Sequence, residues 1–375
     1  MIDTLAGEPE NPESPETVIP GSAAGARVRA ALLAALRPVG VVGVALLIGM
    51  GLILYTGQNP LPAYESLLIE PFKSWDSVGA VLFDAIPLVL TGLAAAVAFR
   101  ANVFNIGGEG QLQLGALATA WAALALGNRP AVVVIPVAIV AGAVAGGLWA
   151  GIAGWLRAYL GATELVSTIM LNYVAIDLAS YAVGQGGPLA ATSGPGNATD
   201  TVPAAAQFPT FGASQFHWGF VVALLAVAIL FAVLYRTPLG YEIRMVGANA
   251  LFARYGGVRV ARVIVGAMLI SGALAGIGGA VQVMGSQHQY NIGFTQPQWG
   301  FTGVTVALLA RLEPVGVVVA ALLYALLQEG AQLMEDNTSV NHNIILVVQG
   351  LIILFVTVQV TLSWHRRRPH LPTHV

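Results

Sequence analysis

The chain has 375 residues, of which 57% are hydrophobic and only 9% charged. Soluble domains carry about 25% charged residues, so this composition, with a mean hydropathy of +0.77, excludes a soluble fold and implies an all-α protein that crosses a membrane many times. A net charge of -2 decides nothing, whereas zero cysteines exclude disulfides and thiolate metal sites.

Residues 1–26 are acidic, Pro-rich and poor in apolar side chains, and read as a disordered tail. They lack the basic start and short apolar core of a cleaved signal peptide, so the first hydrophobic run is expected to be a retained span. The body from 27 to 364 reads as one transmembrane domain and 365–375 as a basic tail. Apolar runs long enough to cross the hydrocarbon core lie near 38–56, 80–99, 109–127, 131–155, 166–184, 218–235, 263–284 and 344–363. Two more segments lie between 299 and 333, divided by Arg311-Leu312-Glu313-Pro314. Ten spans are expected, or eight if the glycine-rich pieces are re-entrant. Gly142, Gly146, Gly147, Gly151 and Gly154 are expected to pack helices closely.

Cytoplasmic loops collect Lys and Arg. With both termini inside, 14 of the 16 basic residues fall on the cytoplasmic side, and only Lys73 and Arg129 fall outside. The longest polar loop, 185–217, holds no basic residue and falls outside as well.

The stretch NVFNIGGEGQLQLG, 102–115, sets Glu109 among glycines and amides. It fails the dinucleotide fingerprint, because Gln113 stands where the last glycine belongs. The chain's one lysine, Lys73, has no P-loop around it. ATP must therefore bind elsewhere if it is used. Charged groups within spans are costly and mark a cavity or a partner. The candidates are Glu109, Asp177 and Glu329, with Asp84 and Glu164 nearer the boundaries. Amides add Asn105, Gln111, Gln113, Asn172, Gln282, Gln328 and Gln349. Many amides without a cation suit a path for a neutral, hydroxyl-rich solute, although Glu109 could equally cap a helix start. Gln111 and Gln113 are not both on the face of Glu109, since a spacing of two separates faces.

Phe104-Asn105-Ile106-Gly107 has a near copy in Tyr290-Asn291-Ile292-Gly293, the first inside and the second outside. That is the pattern of an inverted-topology repeat, with its site near the midplane. The six histidines, His217, His288, His342, His365, His370 and His374, fall in predicted loops, boundaries or the tail. They read as solvated and as no metal site. The loop 236–262 is long and basic, with a short helix expected between an N-cap at Asn249 and a stop at Gly256-Gly257. It suits a soluble cytoplasmic partner, or membrane lipid headgroups.

At NVFNIGGEGQ, STIMLNYVA, RTPLGYEIRMVGANALFARYGGV, SGALAGIGGA and GFTGVTVALLARLEPVG the chain resembles the permease subunits of ABC importers for nucleosides and simple sugars. These belong to the larger group that includes branched-chain amino acid permeases. The resemblance covers most of 80–360. It implies a multi-pass protein of the bacterial plasma membrane, without enzymatic activity or a cofactor of its own. Two cytoplasmic ABC ATPases would hold ATP and Mg, a second permease would pair with it, and an external binding protein would deliver solute. Nucleic acid has no part in it. The ATPase-coupling residues implied are Gly247, Asn249, Ala253, Arg254, Tyr255 and Gly257. Asn105, Glu109, Gln111, Asn172, Asn291, Thr302 and Gln349 are the expected solute path. The chain departs from the family pattern at Phe252, Ala310, Leu312, Glu313 and Glu329. The alternatives are an ABC permease for a simple sugar or branched-chain amino acid and, of another class, a proton-coupled carrier using Glu109 and Asp177; an intramembrane enzyme lacks any nucleophile–base or metal constellation.

Overall fold

A computed structural model describes residues 43–44, 46–192, 196–211, 214–293 and 298–365, with side chains to residue 355. The tails expected at 1–26 and 365–375, together with Arg27, Arg29, Arg37 and Arg366 to Arg368, lie outside the described residues or, for His365, outside the described side chains. Among the described residues the regular structure is helical, with two isolated β-bridges, Ala198 to Asn291 and Thr210 to His217. The helices are α1 (Leu46–Tyr55), α2 (Pro60–Leu68), α3 (Trp75–Arg100), α4 (Gly108–Leu126), α5 (Ala131–Leu160), α6 (Glu164–Val183) and α7 (Gly219–Arg236). They continue with α8 (Pro238–Ala248), α9 (Ala250–Tyr255), α10 (Val260–Gln282), α11 (Trp299–Leu309), α12 (Pro314–Asn337) and α13 (His342–His365).

Six helices are long and apolar enough to cross a membrane: α3, α5, α6, α7, α12, and α10 with its π-helical continuation to Gln287. α3 is the central post. In its apolar stretch 78% of residues are buried, against 28% in α5 and α6, which therefore present most of their surface outward. Ser74 caps α3 by accepting from Ser77 N, and Arg100 ends it where the helix dipole favours a cation. Pro87 removes one donor inside the helix, and Thr91 Oγ1 donates to the Pro87 carbonyl at 2.8 Å.

The small residues anticipated in α5 meet small residues of α10. Around Gly115, Gly142 and Gly276 three helices approach backbone to backbone, so that a Cβ on Gly276 would collide with the carbonyl of Gly142. The pairing is crossed elsewhere too: α10 lies against α4 at Gly279, and α3 lies against α11 at Thr91 and Gly303. α1, α2, α12 and α13 share a separate apolar cluster around Ile53, Leu67, Met334 and Val348.

Two helices were not expected from hydropathy. α2 is short and half exposed. α8 precedes the anticipated coupling helix, begun by Thr237, whose side chain accepts from Gly240 N at 3.2 Å, and by Pro238 at its first position. α9 begins and ends as its residues imply. Asn249 Oδ1 accepts from Phe252 N at 2.9 Å, and Gly257, at φ +84°, turns the chain away.

Candidate functional site

The first turns of α4 and α11 meet at two glycines. The Gly108 and Gly300 backbones touch, with no room at Gly300 for any side chain. Both N-terminal helix ends carry unsatisfied N–H groups and a positive dipole. Glu109, buried at 3% exposure, answers both: it lies in the first turn of α4, and its Oε2 accepts from Gly300 N at 2.8 Å. The sequence left open whether this carboxylate caps a helix or faces a path. The structure has it capping α11, across the fold, while it also lines a cavity.

That cavity has a volume of about 370 Å³, within the usual range for small-molecule sites. α4 supplies Glu109 and Gln113, one turn apart. α6 supplies one face, including Asn172, Tyr173 and Ser180, and the start of α11 supplies Gln298 and Phe301. Tyr290 closes the far wall by donating its hydroxyl to Gln113 Oε1 at 2.7 Å. Its backbone is tied to the segment before α7 through Thr199 N to Tyr290 O at 2.8 Å and Tyr290 N to Thr199 Oγ1 at 3.0 Å. Burial pushes the Tyr290 phenol up, so it stays a donor. The lining holds amides, hydroxyls, one carboxylate and aromatic rings, and no Lys or Arg among the described residues.

Of the residues expected on a solute path, Glu109 and Asn172 are brought together here. Gln111 and Asn105 lie behind the wall, both about 2% exposed. They form a reciprocal amide pair, each side chain donating to the other at 2.9 Å. Asn105 Nδ2 also donates to Ser271 Oγ, which donates to Ala94 O. The pair thus fastens the 101–107 linker to α4, α10 and α3. Asn172 serves both sides: its Oδ1 accepts from Gly110 N at 2.8 Å and its Nδ2 donates to Ile106 O at 3.0 Å. Asn291 lies outside the cavity in a separate polar pocket with Asn197 and Asp200. Thr302 follows Phe301 without lining the cavity, and Gln349 is buried on α13, away from it. Gln113, Tyr173, Ser180, Tyr290, Gln298 and Phe301 are among the wall residues that had not been placed on the path. Gln113 could have been found, since it alone of the two glutamines stands four residues from Glu109.

Among the other charged candidates, Glu164 pairs with Arg157 (Nε to Oε2, 3.1 Å) and Asp177 is exposed on the outer face of α6. Asp84 and Glu329 are half-buried. One expectation is overturned. His217 is not solvated but fully buried, stacked on Phe208 at 5.9 Å and edge-on to Phe83. Its Nδ1 accepts from Gly219 N at 3.0 Å, and Nε2 has no partner among the described residues. Burial, and then the nearby His288, push its imidazole down to about 4. The 196–211 segment, folded back over the end of α10, shuts it away from water.

α9 stands out from the bundle. Ala253 is buried against it, while Leu251, Phe252, Arg254 and Tyr255 are exposed. Gly247 lies in the last turn of α8.

A family model described as branched-chain amino acid transport system / permease component matches residues 77–357. Among characterised proteins, the chain is 36% identical to the glucose ABC transporter permease protein TsgB13 of Haloferax volcanii, over 85% of this chain and 86% of that one. It is 34% identical to the nucleoside ABC transporter permease protein NupB of Lactococcus lactis subsp. cremoris, over 84% and 88% of the two chains. The guanosine ABC transporter permease protein NupP of Bacillus subtilis is also 34% identical, over 84% and 91%. No solved structure matches.

Proposed function

The chain belongs to the branched-chain amino acid transport system / permease component family, and from that premise we infer that it is the membrane-spanning subunit of an ABC importer for a nucleoside or sugar. The observation that carries the solute class is the cavity wall. Gln113, Asn172, Ser180, Tyr290 and Glu109 offer donors and acceptors for hydroxyls, and Tyr173 and Phe301 offer rings for the flat face of a base or sugar. An amino acid's carboxylate would meet the carboxylate of Glu109, with no Lys or Arg in the described wall to offset it. The names of the similar proteins, glucose, nucleoside and guanosine permeases, fit the same chemistry.

The finer assignments are part of this proposal. The ten apolar helices α1, α3, α4, α5, α6, α7, α10, α11, α12 and α13 are the ten spans, with both termini cytoplasmic. The crossed packing of α3 on α11 and of α10 on α4 supports an inverted repeat of α3–α6 and α10–α13. Two cytoplasmic ATPases holding ATP and Mg would dock on α9 through Leu251, Phe252, Arg254 and Tyr255. The outward face of α6, with Asp177 beside Leu178 and Tyr181, would meet a second permease, because a carboxylate exposed in mid-span needs a polar partner. A binding protein would deliver solute to the roof around Thr199 and Asn291. The setting is the plasma membrane of a bacterium.

The test is competition for uptake by the reconstituted complex of permeases, ATPases and binding protein. Unlabelled nucleosides or glucose should compete with labelled nucleoside, and leucine should not. Competition by leucine alone would overturn the solute class.

A further inference from the structure

The cytoplasmic ends of α3, α7 and α8 meet the α11–α12 turn in a polar cluster that the cavity does not use. Arg100, the last residue of α3, is its hub. Its Nε donates to Leu312 O at 2.8 Å, and its Nη2 pairs with Glu313 Oε1 at 2.5 Å. The other carboxylate oxygen of Glu313 accepts from Tyr235 OH at 2.5 Å. Two guanidiniums lie over the Tyr235 ring, that of Arg100 at 5.3 Å and that of Arg244 at 5.1 Å from the centroid. Arg244 belongs to α8 and also donates to the Leu234 carbonyl. Gly247, one turn further along α8, rests on the Arg100 backbone so closely that any side chain would overlap its carbonyl.

α8 therefore touches this cluster at two points, and α9 follows it after one residue. The other side of the cluster grips α11. Arg311 and Leu312, at φ +55° and +62°, are consecutive non-glycine residues in the left-handed region, a shape that surrounding contacts must hold. From that turn α11 runs 11 residues to its first turn, about 16 Å at the helical rise. There Gly300 N meets Glu109 in the cavity wall. A short helix fixed at both ends transmits displacement, since it cannot stretch.

We propose that Arg100, Tyr235 and Glu313 form the joint through which movement of α8 and α9 reaches α11 and, through the Gly300–Glu109 bond, the cavity. They are positioning residues. Glu313 is half exposed, so its ion pair alone contributes little to stability; its role is to tie three elements together. The proposal rests on the reading of α9 as the ATPase dock.

The experiment uses the reconstituted complex and compares solute taken up per ATP hydrolysed in Tyr235→Phe and Glu313→Gln. Tyr235→Phe keeps the ring and both guanidinium contacts, so it carries the test if Glu313→Gln fails to assemble. ATP hydrolysis is expected to stay within about twofold, while uptake per ATP falls at least about fivefold, the lower end of measured couplings. An unchanged ratio overturns the joint. Asn249→Ala, measured alongside, separates the two readings. If it uncouples while the joint variants do not, only the joint fails; if it too leaves the ratio unchanged, the docking role of α9 falls and the joint with it.

Discussion

Glu109 illustrates how one buried carboxylate can hold a structure and line a cavity at once. One oxygen caps α11 through Gly300 N, and the side chain forms part of the cavity wall. Glu109→Gln keeps an acceptor for Gly300 N and removes the charge. It should therefore fold with near-native stability while weakening solute interaction. A hydrogen bond to a charged group is worth about 1.5–3 kcal/mol, so uptake at low solute concentration should fall about tenfold or more. Unchanged uptake would leave the carboxylate with its capping role alone. His217 yields a second expectation. Its folded pKa, about 4, lies below the ordinary 6.5, so the neutral form is favoured by folding and the unfolded chain binds the extra proton between those values. Stability is then fully present above pH 6.5 and is lost as pH falls toward 4, by about 3 kcal/mol over the whole interval. Thermal melts of the purified protein at pH 7 and 4.5 should show that loss, and His217→Asn, which keeps an acceptor for Gly219 N, should flatten it. An equal loss in the variant would contradict it. At this scale the sequence was legible only in part. Glu109 could be picked out as a carboxylate at the start of an apolar run and Asn172 as an amide within one. The Asn105–Gln111 pair could not be recognised as a lock, because its other partner, Ser271, lies far along the chain.

Helices are where hydropathy reads best, because a span must be both long and apolar. The expected runs at 80–99, 131–155, 166–184, 218–235 and 263–284 correspond to α3, α5, α6, α7 and α10. α2 and α8 escaped that reading, since short surface helices carry no long apolar run. α8 was nevertheless written in Thr237-Pro238, a cap followed by a proline that starts a helix. The glycines of α5 foretold close packing but not its partner. Gly276→Val tests the contact. Its side chain would meet the Gly142 backbone, which cannot rotate away, so the loss should reach about 3 kcal/mol, the upper end for overpacking. Thermal unfolding in detergent would measure it; a shift no larger than that of the same change at Gly266, where a side chain would meet open space, would contradict the packing.

For the molecule as a whole, the distribution of arginines is the argument for both termini in the cytoplasm. The absence of cysteine makes sidedness directly measurable. A single cysteine replacing Lys73 should react with an impermeant thiol reagent added outside intact cells, and one replacing Arg311 should not; the reverse pattern would invert the orientation. Family membership and solute class leave the energy source as the central matter, because a proton-coupled carrier would also use a buried carboxylate. The most direct measurement is accumulation of labelled nucleoside by the reconstituted complex, with ATP supplied to the ATPase side and a protonophore present. The expected result is accumulation that requires ATP and is unaffected by the protonophore. Accumulation that proceeds without ATP and is abolished by the protonophore would contradict it.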